Sequence, residues 1–179
     1  TDPDIGETNT LTLSGTDKDS FEISGTTLKL KDSVSADYEA DTSYSITITA
    51  TDSASNTVSK DYTIFVTNVN EAPSAIALSN STFAENAAGA SAGTLSTTDP
   101  DSGETFTYAL SGTDAASFEL SGTTLKLKDT VSADYESDTS YSITITTTDL
   151  ASNALSQDFN ISVTDVNETP SALALSASS

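Results

Sequence analysis

The sequence predicts an all-β protein built from tandem antiparallel β-sandwiches, and three observations support this prediction. First, the chain repeats itself with a period of 97 residues: residues 1–82 align without a gap with residues 98–179, and 60 of these 82 positions are identical. Second, apolar and polar residues alternate within each repeat, as expected of strands that bury one face. Third, Gly and Asn residues separate the alternating stretches. A repeat of this length has the size of a small domain.

The complete second repeat shows these strands in chain order. Short alternations predict strands around the pairs Tyr108 and Leu110, Phe118 and Leu120, and Leu125 and Leu127. Longer alternations predict two further strands, at Tyr141, Ile143 and Ile145 and at Phe159, Ile161 and Val163. About seven short strands per complete unit indicate an immunoglobulin-like Greek-key sandwich. The segment 129–136 is the one place where a short helix is expected.

The repeat divides the chain into three parts. Residues 1–71 are predicted to form a repeat that lacks its first strand, and residues 72–168 to form a complete repeat. Residues 169–179 begin a third copy, because they correspond to residues 72–82. They are interpreted either as the start of a further repeat in a longer tandem array or as a strand that another copy of the chain accepts.

Composition excludes several classes of function. The chain has 27 acidic residues, six lysines and no Arg, His or Cys, which gives a net charge of −21. Without Cys and His there are no disulfides, no Ser-His-Asp chemistry and none of the usual zinc sites. The negative charge disfavours nucleic acid and anionic membranes as partners. Paired acids can hydrolyse glycosidic bonds, but here they recur in both repeats at the predicted junctions, so no enzyme is predicted.

The carboxylates cluster at turns and at the repeat boundaries. In a sandwich, loops that are distant in sequence meet at one pole, so these acids are expected to come together. Several carboxylates at one pole are costly unless a cation neutralises them. Carboxylate and Asn oxygens, without His or Cys, favour Ca²⁺ over transition metals. The alternative is that the acids are solvated loop residues without a metal.

The order of these motifs in the second repeat is characteristic. It runs from Phe83-Ala84-Glu85-Asn86 through Asp99-Pro100-Asp101-Ser102-Gly103 and Asp134-Tyr135-Glu136 to Asp149 and Asp165-Val166-Asn167-Glu168-Thr169-Pro170. This order resembles the cadherin repeat, and in particular the cadherin-like repeats of large bacterial (RTX-type) calcium-dependent surface adhesins. The resemblance extends over essentially the whole chain. It departs from the family pattern in having Tyr135 in place of Arg and a linker that is one residue shorter.

The resemblance implies that Ca²⁺ binds between successive repeats. For the junction after the second repeat, it implies the ligands Glu85, Asp134, Glu136, Asp165, Asn167 and Glu168. For the junction inside the chain, it implies Asp37, Glu39, Asn68, Asn70, Glu71, Asp99, Asp101 and Asp149. Asp2, Asp4 and Asp52 would serve a preceding junction.

The function implied by the resemblance is a calcium-rigidified extender or adhesion module of a secreted, repetitive cell-surface protein. Its expected partners are neighbouring repeats, copies of itself, or a cell-surface protein or glycan, with no nucleic acid and no membrane insertion. Two alternatives remain open at this point. One is a subunit of an extracellular filament assembled head-to-tail by strand complementation, and the other is a ligand-binding sandwich without metal.

Overall fold

The computed structural model describes residues 9–170, so the expectations for Asp2, Asp4 and residues 171–179 lie outside the described residues. The chain forms two compact units that divide between Val69 and Asn70. The sequence placed this boundary two residues later, after Glu71. The shift has a physical reason, because the backbone N–H of Glu71 donates a hydrogen bond to Asp101 in the second unit. We call the two parts unit 1 and unit 2.

Unit 2 is a two-sheet sandwich, as the sequence predicted. Its strands are listed here in chain order: β6 (Ala75–Leu78), β7 (Thr82–Ala84), β8 (Ser91–Thr98), β9 (Thr107–Ser111), β10 (Phe118–Ser121), β11 (Thr124–Leu127), β12 (Ser140–Thr148) and β13 (Ala154–Thr164). One sheet has the order β10-β11-β8-β6 and the other the order β7-β13-β12-β9. The Leu- and Ile-rich faces of the two sheets form one core around Leu125, Ile143 and Ile161.

The first strand of unit 2 is divided between the two sheets. Its first half, β6, pairs antiparallel with β8, whereas its second half, β7, pairs parallel with the end of β13. Seven strand positions therefore give eight strands. A 3₁₀ helix covers Ala115–Ser117, while the segment 129–136, where a short helix was expected, contains turns only. The expected helix was wrong because Val131 and Ala133 pack into the core from an irregular loop.

Unit 1 repeats part of this architecture. Its strands are β1 (Thr10–Ser14), β2 (Phe21–Ser24), β3 (Thr27–Leu30), β4 (Ser43–Thr51) and β5 (Thr57–Phe65), with a 3₁₀ helix at Lys18–Ser20. They form a β1-β4-β5 sheet and a β2-β3 hairpin. With the 97-residue offset, these strands correspond to β9–β13. The described part of unit 1 thus lacks counterparts of β6, β7 and β8, which is more than the single first strand that the sequence analysis expected.

The missing strands leave the core of unit 1 partly open. Leu125 and Leu127 of unit 2 are completely buried, whereas their counterparts Leu28 and Leu30 are only partly buried. The fully buried core residues of unit 1 are reduced to Phe21, Tyr44 and Ile46. Nearly identical sequences therefore differ in burial because of the strands that surround them.

This difference predicts unequal costs for the same substitution in the two units. We expect Leu125→Ala to lower the free energy of unfolding of unit 2 by about 3–5 kcal/mol, because the cavity it leaves is fully enclosed. The matched Leu28→Ala should cost unit 1 about 1–2 kcal/mol, since this side chain already contacts water. Hydrogen exchange of the amides in each unit measures both losses separately. Equal losses would contradict the open core of unit 1.

Candidate functional site

The topology of unit 2 gathers acids at the pole where β13 ends, which we call the C-terminal pole. Glu85 directly follows β7, and Asp165 directly follows β13. Because β7 and β13 run parallel, their ends lie side by side. β12 runs antiparallel to β13, so the turn that precedes β12 brings Glu136 to the same pole.

Four carboxylates meet there. An oxygen of each of Glu85, Glu136, Asp165 and Glu168 lies within 4.8 Å of the others. Glu85 is the anchor of this group, since the residue is only 3% exposed. Its Oε2 accepts the backbone N–H of Tyr135 at 2.7 Å, and its Oε1 accepts that of Val166 at 2.7 Å. Glu85 thereby ties the loop before β12 to the linker after β13.

The charges of this group are not compensated within the described chain. The lysine ion pairs seen in residues 9–170 involve none of its four members. The pKa of Glu136 is raised: its own backbone N–H lowers the pKa, but desolvation and the negative charges of Glu85, Glu168 and Asp165 together outweigh that effect. Like charges held this close favour a bound cation or a proton.

The other two predicted ligands of this pole lie beside the group. Asp134 is exposed, and its Oδ1 accepts the backbone N–H of Glu136 at 3.1 Å, while its Oδ2 accepts the hydroxyl of Ser137 at 3.0 Å. Asn167 donates its Nδ2 to the carbonyl of Glu168 at 3.4 Å. Asp134 therefore shapes the turn that presents Glu136.

The opposite end of β12 carries a second group, at what we call the N-terminal pole. Asp99 and Asp101 follow β8, and Asp149 follows β12. A nine-residue strand is about 30 Å long, so the two poles are well separated. Asn70 donates its Nδ2 to Asp149 at 2.7 Å, and the N–H of Glu71 donates to Oδ2 of Asp101 at 2.8 Å. These bonds attach the linker residues to unit 2.

The carboxylates at this pole are held in different ways. Asp101 and Asp149 are 7% and 6% exposed. Desolvation raises the pKa of Asp149, but the hydrogen bonds from Asn70 and Asn153 more than offset it, so that its pKa is lowered. Asp99 accepts the N–H of Asp101 on Oδ1 at 2.9 Å, yet its Oδ2 is buried without a hydrogen-bond partner. A buried unpaired carboxylate oxygen is costly unless something coordinates it.

Unit 1 contains further predicted ligands. Asp52 accepts the backbone N–H and the Nδ2 of Asn56, at 2.7 and 2.8 Å, which lowers its pKa. Asp37 accepts the N–H groups of Glu39 and Ala40. Glu39 and Asn68 are exposed.

Sequence reasoning missed three polar residues at the two poles of unit 2. Asn153 donates to Asp149, Asn86 donates to Glu168 Oε1 at 2.5 Å, and Glu104 has a buried Oε2 without a partner. The Asn153 contact had a signal in the sequence, because both repeats keep an Asp and an Asn four residues apart, at 52 and 56 and at 149 and 153. The other two had none.

The donor chemistry of both poles suits a hard cation. All donors are carboxylate, amide or backbone oxygens, which is the set that Ca²⁺ takes at distances of about 2.3–2.6 Å. The nearest alternative, Mg²⁺, demands a stricter octahedron and keeps more of its water. The unpaired Asp99 oxygen and the clustered charges around Glu136 are the observations of this structure that a bound cation would explain.

Comparison with known proteins agrees with this architecture. Residues 79–164 match the model of the cadherin domain. Unit 2 is a cadherin-like repeat. Among solved structures, human Protocadherin-24 EC1-2 has a TM-score of 0.70 at 20% identity, with 90% of this chain and 84% of that chain covered. PcdhgB3 EC1-4 has a TM-score of 0.67 at 24% identity, with coverages of 88% and 40%. At these identities the likeness shows the fold.

A third similar structure is described as a cis-dimer of Protocadherin gammaB7 EC3-6. Its TM-score is 0.60 at 25% identity, and the alignment covers 90% of this chain and 41% of that chain. The cadherin-like chain thus spans about two fifths of the length of PcdhgB3 EC1-4 and of this structure. No curated protein matches the sequence significantly. Within residues 9–170, no helix is long and apolar enough to cross a membrane.

Proposed function

We propose that the cadherin-like repeats are calcium-rigidified extender or adhesion modules of a secreted, repetitive cell-surface protein. Their Ca²⁺ ligands would be the acids and Asn residues of the two poles of unit 2, with the corresponding residues of unit 1. The near-identity of the two repeats and the ordered motifs support an origin in a large bacterial adhesin of the RTX type. Neighbouring repeats and copies of the same protein are the proposed partners, and a cell-surface protein or glycan is the proposed adhesion target.

One observation carries this proposal above all. The four carboxylates of the C-terminal pole converge although they come from three separate segments of unit 2. The buried Glu85 holds two of these segments together through backbone N–H groups. A solvated acidic loop needs no such anchor, and buried carboxylates are rare without a partner. The arrangement instead preorganises ligands before the cation arrives.

The energetic role of the cation follows from linkage. Extracellular Ca²⁺ modules bind at about 10⁻⁴–10⁻³ M. At an ion concentration about 100 times Kd, binding stabilises the ordered state by about 2.7 kcal/mol per site. Bound Ca²⁺ supplies positive charge that offsets the repulsion among the carboxylates. The protein contributes loops that are already fixed by Glu85, Asp101 and Asp149, so little ordering entropy remains to oppose binding.

A calcium titration tests the proposed function. We expect saturable binding by calorimetry, a melting temperature that rises with Ca²⁺, and scattering profiles that show reduced flexibility. Chelation should lower the melting temperature, because the net charge of −21 then repels itself without relief. Mg²⁺ at the same concentration is the control for general screening. Identical melting and scattering in Ca²⁺, Mg²⁺ and chelator would rule the proposal out and favour a metal-free sandwich.

The raised pKa of Glu136 predicts a pH effect of opposite sign with and without metal. In chelator, the folded state binds a proton at Glu136 more readily than the unfolded state does, so unit 2 gains stability as pH falls from 7 towards 4.5. In saturating Ca²⁺, the same proton competes with the cation, and acidification should destabilise unit 2. Asp149 does not interfere, because its lowered pKa means that its contribution is lost only below 3.8. Melting curves in both buffers measure the two slopes, and slopes of the same sign would contradict the site.

A further inference from the structure

The open side of unit 1 contains a cavity with a defined counterpart in unit 2. Its volume is about 290 Å³, and its walls include Phe21, Leu30, Tyr44, Ile64 and Val66. The corresponding walls in unit 2 are Phe118, Leu127, Tyr141, Ile161 and Val163, all of which belong to its core. In unit 2 this space is filled.

Phe83 of β7 is the residue that fills it. Its ring lies 6.3 Å from that of Phe118 and 6.1 Å from that of Tyr141. The two wall rings meet edge to face in both units, at 5.5 Å and 81° in unit 2 and at 5.4 Å and 80° for Phe21 and Tyr44 in unit 1. The walls of the unit 1 cavity are therefore already in place without the third ring. A cavity of about 150 Å³ accommodates benzene, so there is room for a phenyl group.

The backbone beside this cavity is an open strand edge. In unit 2, the N–H of Ser162 donates to the carbonyl of Ser81, and the carbonyl of Thr164 accepts the N–H of Glu85, which together hold β7 parallel to β13. The counterparts of Ser162 and Thr164 are Phe65 and Thr67, and no strand of the described chain pairs with this edge. An unpaired edge next to an apolar cavity is a template for strand addition.

A third feature specifies a charge on the missing strand. The N–H groups of Tyr135 and Val166 donate to Glu85, two residues after Phe83. Their counterparts in unit 1 are the N–H groups of Tyr38 and Val69, which find no acceptor among residues 9–170. A carboxylate two residues after the inserted aromatic residue would satisfy both.

We propose that unit 1 is a strand acceptor, which binds an extended segment of another polypeptide that carries the pattern Phe-x-Glu. The segment runs parallel to β5 at Phe65–Thr67, its Phe enters the cavity between Phe21 and Tyr44, and its Glu accepts the N–H groups of Tyr38 and Val69. This interaction requires no metal and goes beyond the proposed junction function.

The C-terminal residues 171–179 are a poorer occupant than such a segment. They correspond to residues 74–82 and therefore repeat β6, but they end before the position of Phe83. In unit 2, the backbone pairing of β6 is with β8 alone. A segment of the β6 type has neither the aromatic ring nor the carboxylate that the open side of unit 1 specifies.

A peptide with the sequence of residues 74–98 tests the proposal, because it contains β6, β7 and β8. We expect it to bind the 179-residue chain and to shift the amide signals of β3 and of Phe65–Thr67, while those of β11 and β13 stay unchanged. The Phe83→Ala peptide should bind about 100-fold more weakly, and the Glu85→Gln peptide about tenfold more weakly. In the chain, Thr67→Pro should abolish binding by removing an edge N–H, while Thr67→Ala retains it.

Three results would overturn strand acceptance. They are the absence of binding by the 74–98 peptide, equal binding of the Phe83→Ala peptide, and a chain that self-associates through unit 1 and is not dissociated by the peptide. The last result would mean that a second copy of the chain covers this face. Because the peptide variants are compared on the unmodified chain, a folding defect in Thr67→Pro does not affect the conclusion.

Discussion

Replacing Glu85 by Gln is expected to weaken Ca²⁺ binding at the C-terminal pole about 100-fold. Glu85 is the buried member of the four-carboxylate group, and both of its oxygens already accept backbone N–H groups. The amide of Gln keeps the size of the side chain but removes its charge and one acceptor. Either Tyr135 or Val166 then loses its bond, at a cost of about 1–3 kcal/mol to unit 2 even without metal.

The control for this variant is Glu119→Gln, which makes the same change in net charge. Glu119 lies on β10 and pairs with Lys126 at a partly exposed site. It should leave both the Ca²⁺ affinity and the melting temperature in chelator almost unchanged, since exposed pairs contribute about 0–1 kcal/mol. Calorimetry of the two variants side by side separates a specific ligand from a general effect of charge. Equal Ca²⁺ affinities would remove Glu85 from the site.

The strands of this fold were largely predictable because they depend on local alternation. The patterns around Tyr108, Phe118 and Leu125 and the two longer patterns after them correspond to β9–β13. The division of the first strand was not predictable in the same way. Ile76 and Phe83 are both buried, but they reach the core from different sheets, and only the closed sandwich decides that.

The candidate site was predictable as a set of motifs and less so as a set of contacts. The order of the acidic motifs placed Glu85, Glu136, Asp165 and Glu168 in one group, and the parallel pairing of β7 with β13 explains their convergence. The tying of the linker to unit 2 through Asn70 and Asp149 depends on side-chain geometry, which alternation does not encode. The open cavity of unit 1 was also invisible in the sequence, since its walls are nearly the same residues in both repeats.

The largest effect expected at the N-terminal pole comes from Asp99→Ala combined with Asp101→Ala. This double variant removes the unpaired Oδ2 of Asp99 and the acceptor that holds the N–H of Glu71. In a Glu85→Gln background, which weakens the other pole, we expect the calcium-dependent rise in melting temperature and the change in scattering to disappear. A loss of about 2.7 kcal/mol of linkage corresponds to roughly 10 °C or more for a domain of this size.

The matched control is Asp32→Ala combined with Asp129→Ala in the same background, which changes the net charge equally. Both side chains are highly exposed, at 94% and 81%, and their ion pairs with Lys29 and Lys126 lie on the surface. If relief of general repulsion were the cause, the two double variants would respond to Ca²⁺ alike. If Asp99 and Asp101 are ligands, only the control keeps its calcium response. Retention of that response by the Asp99→Ala and Asp101→Ala chain would show that the N-terminal pole does not hold the ion.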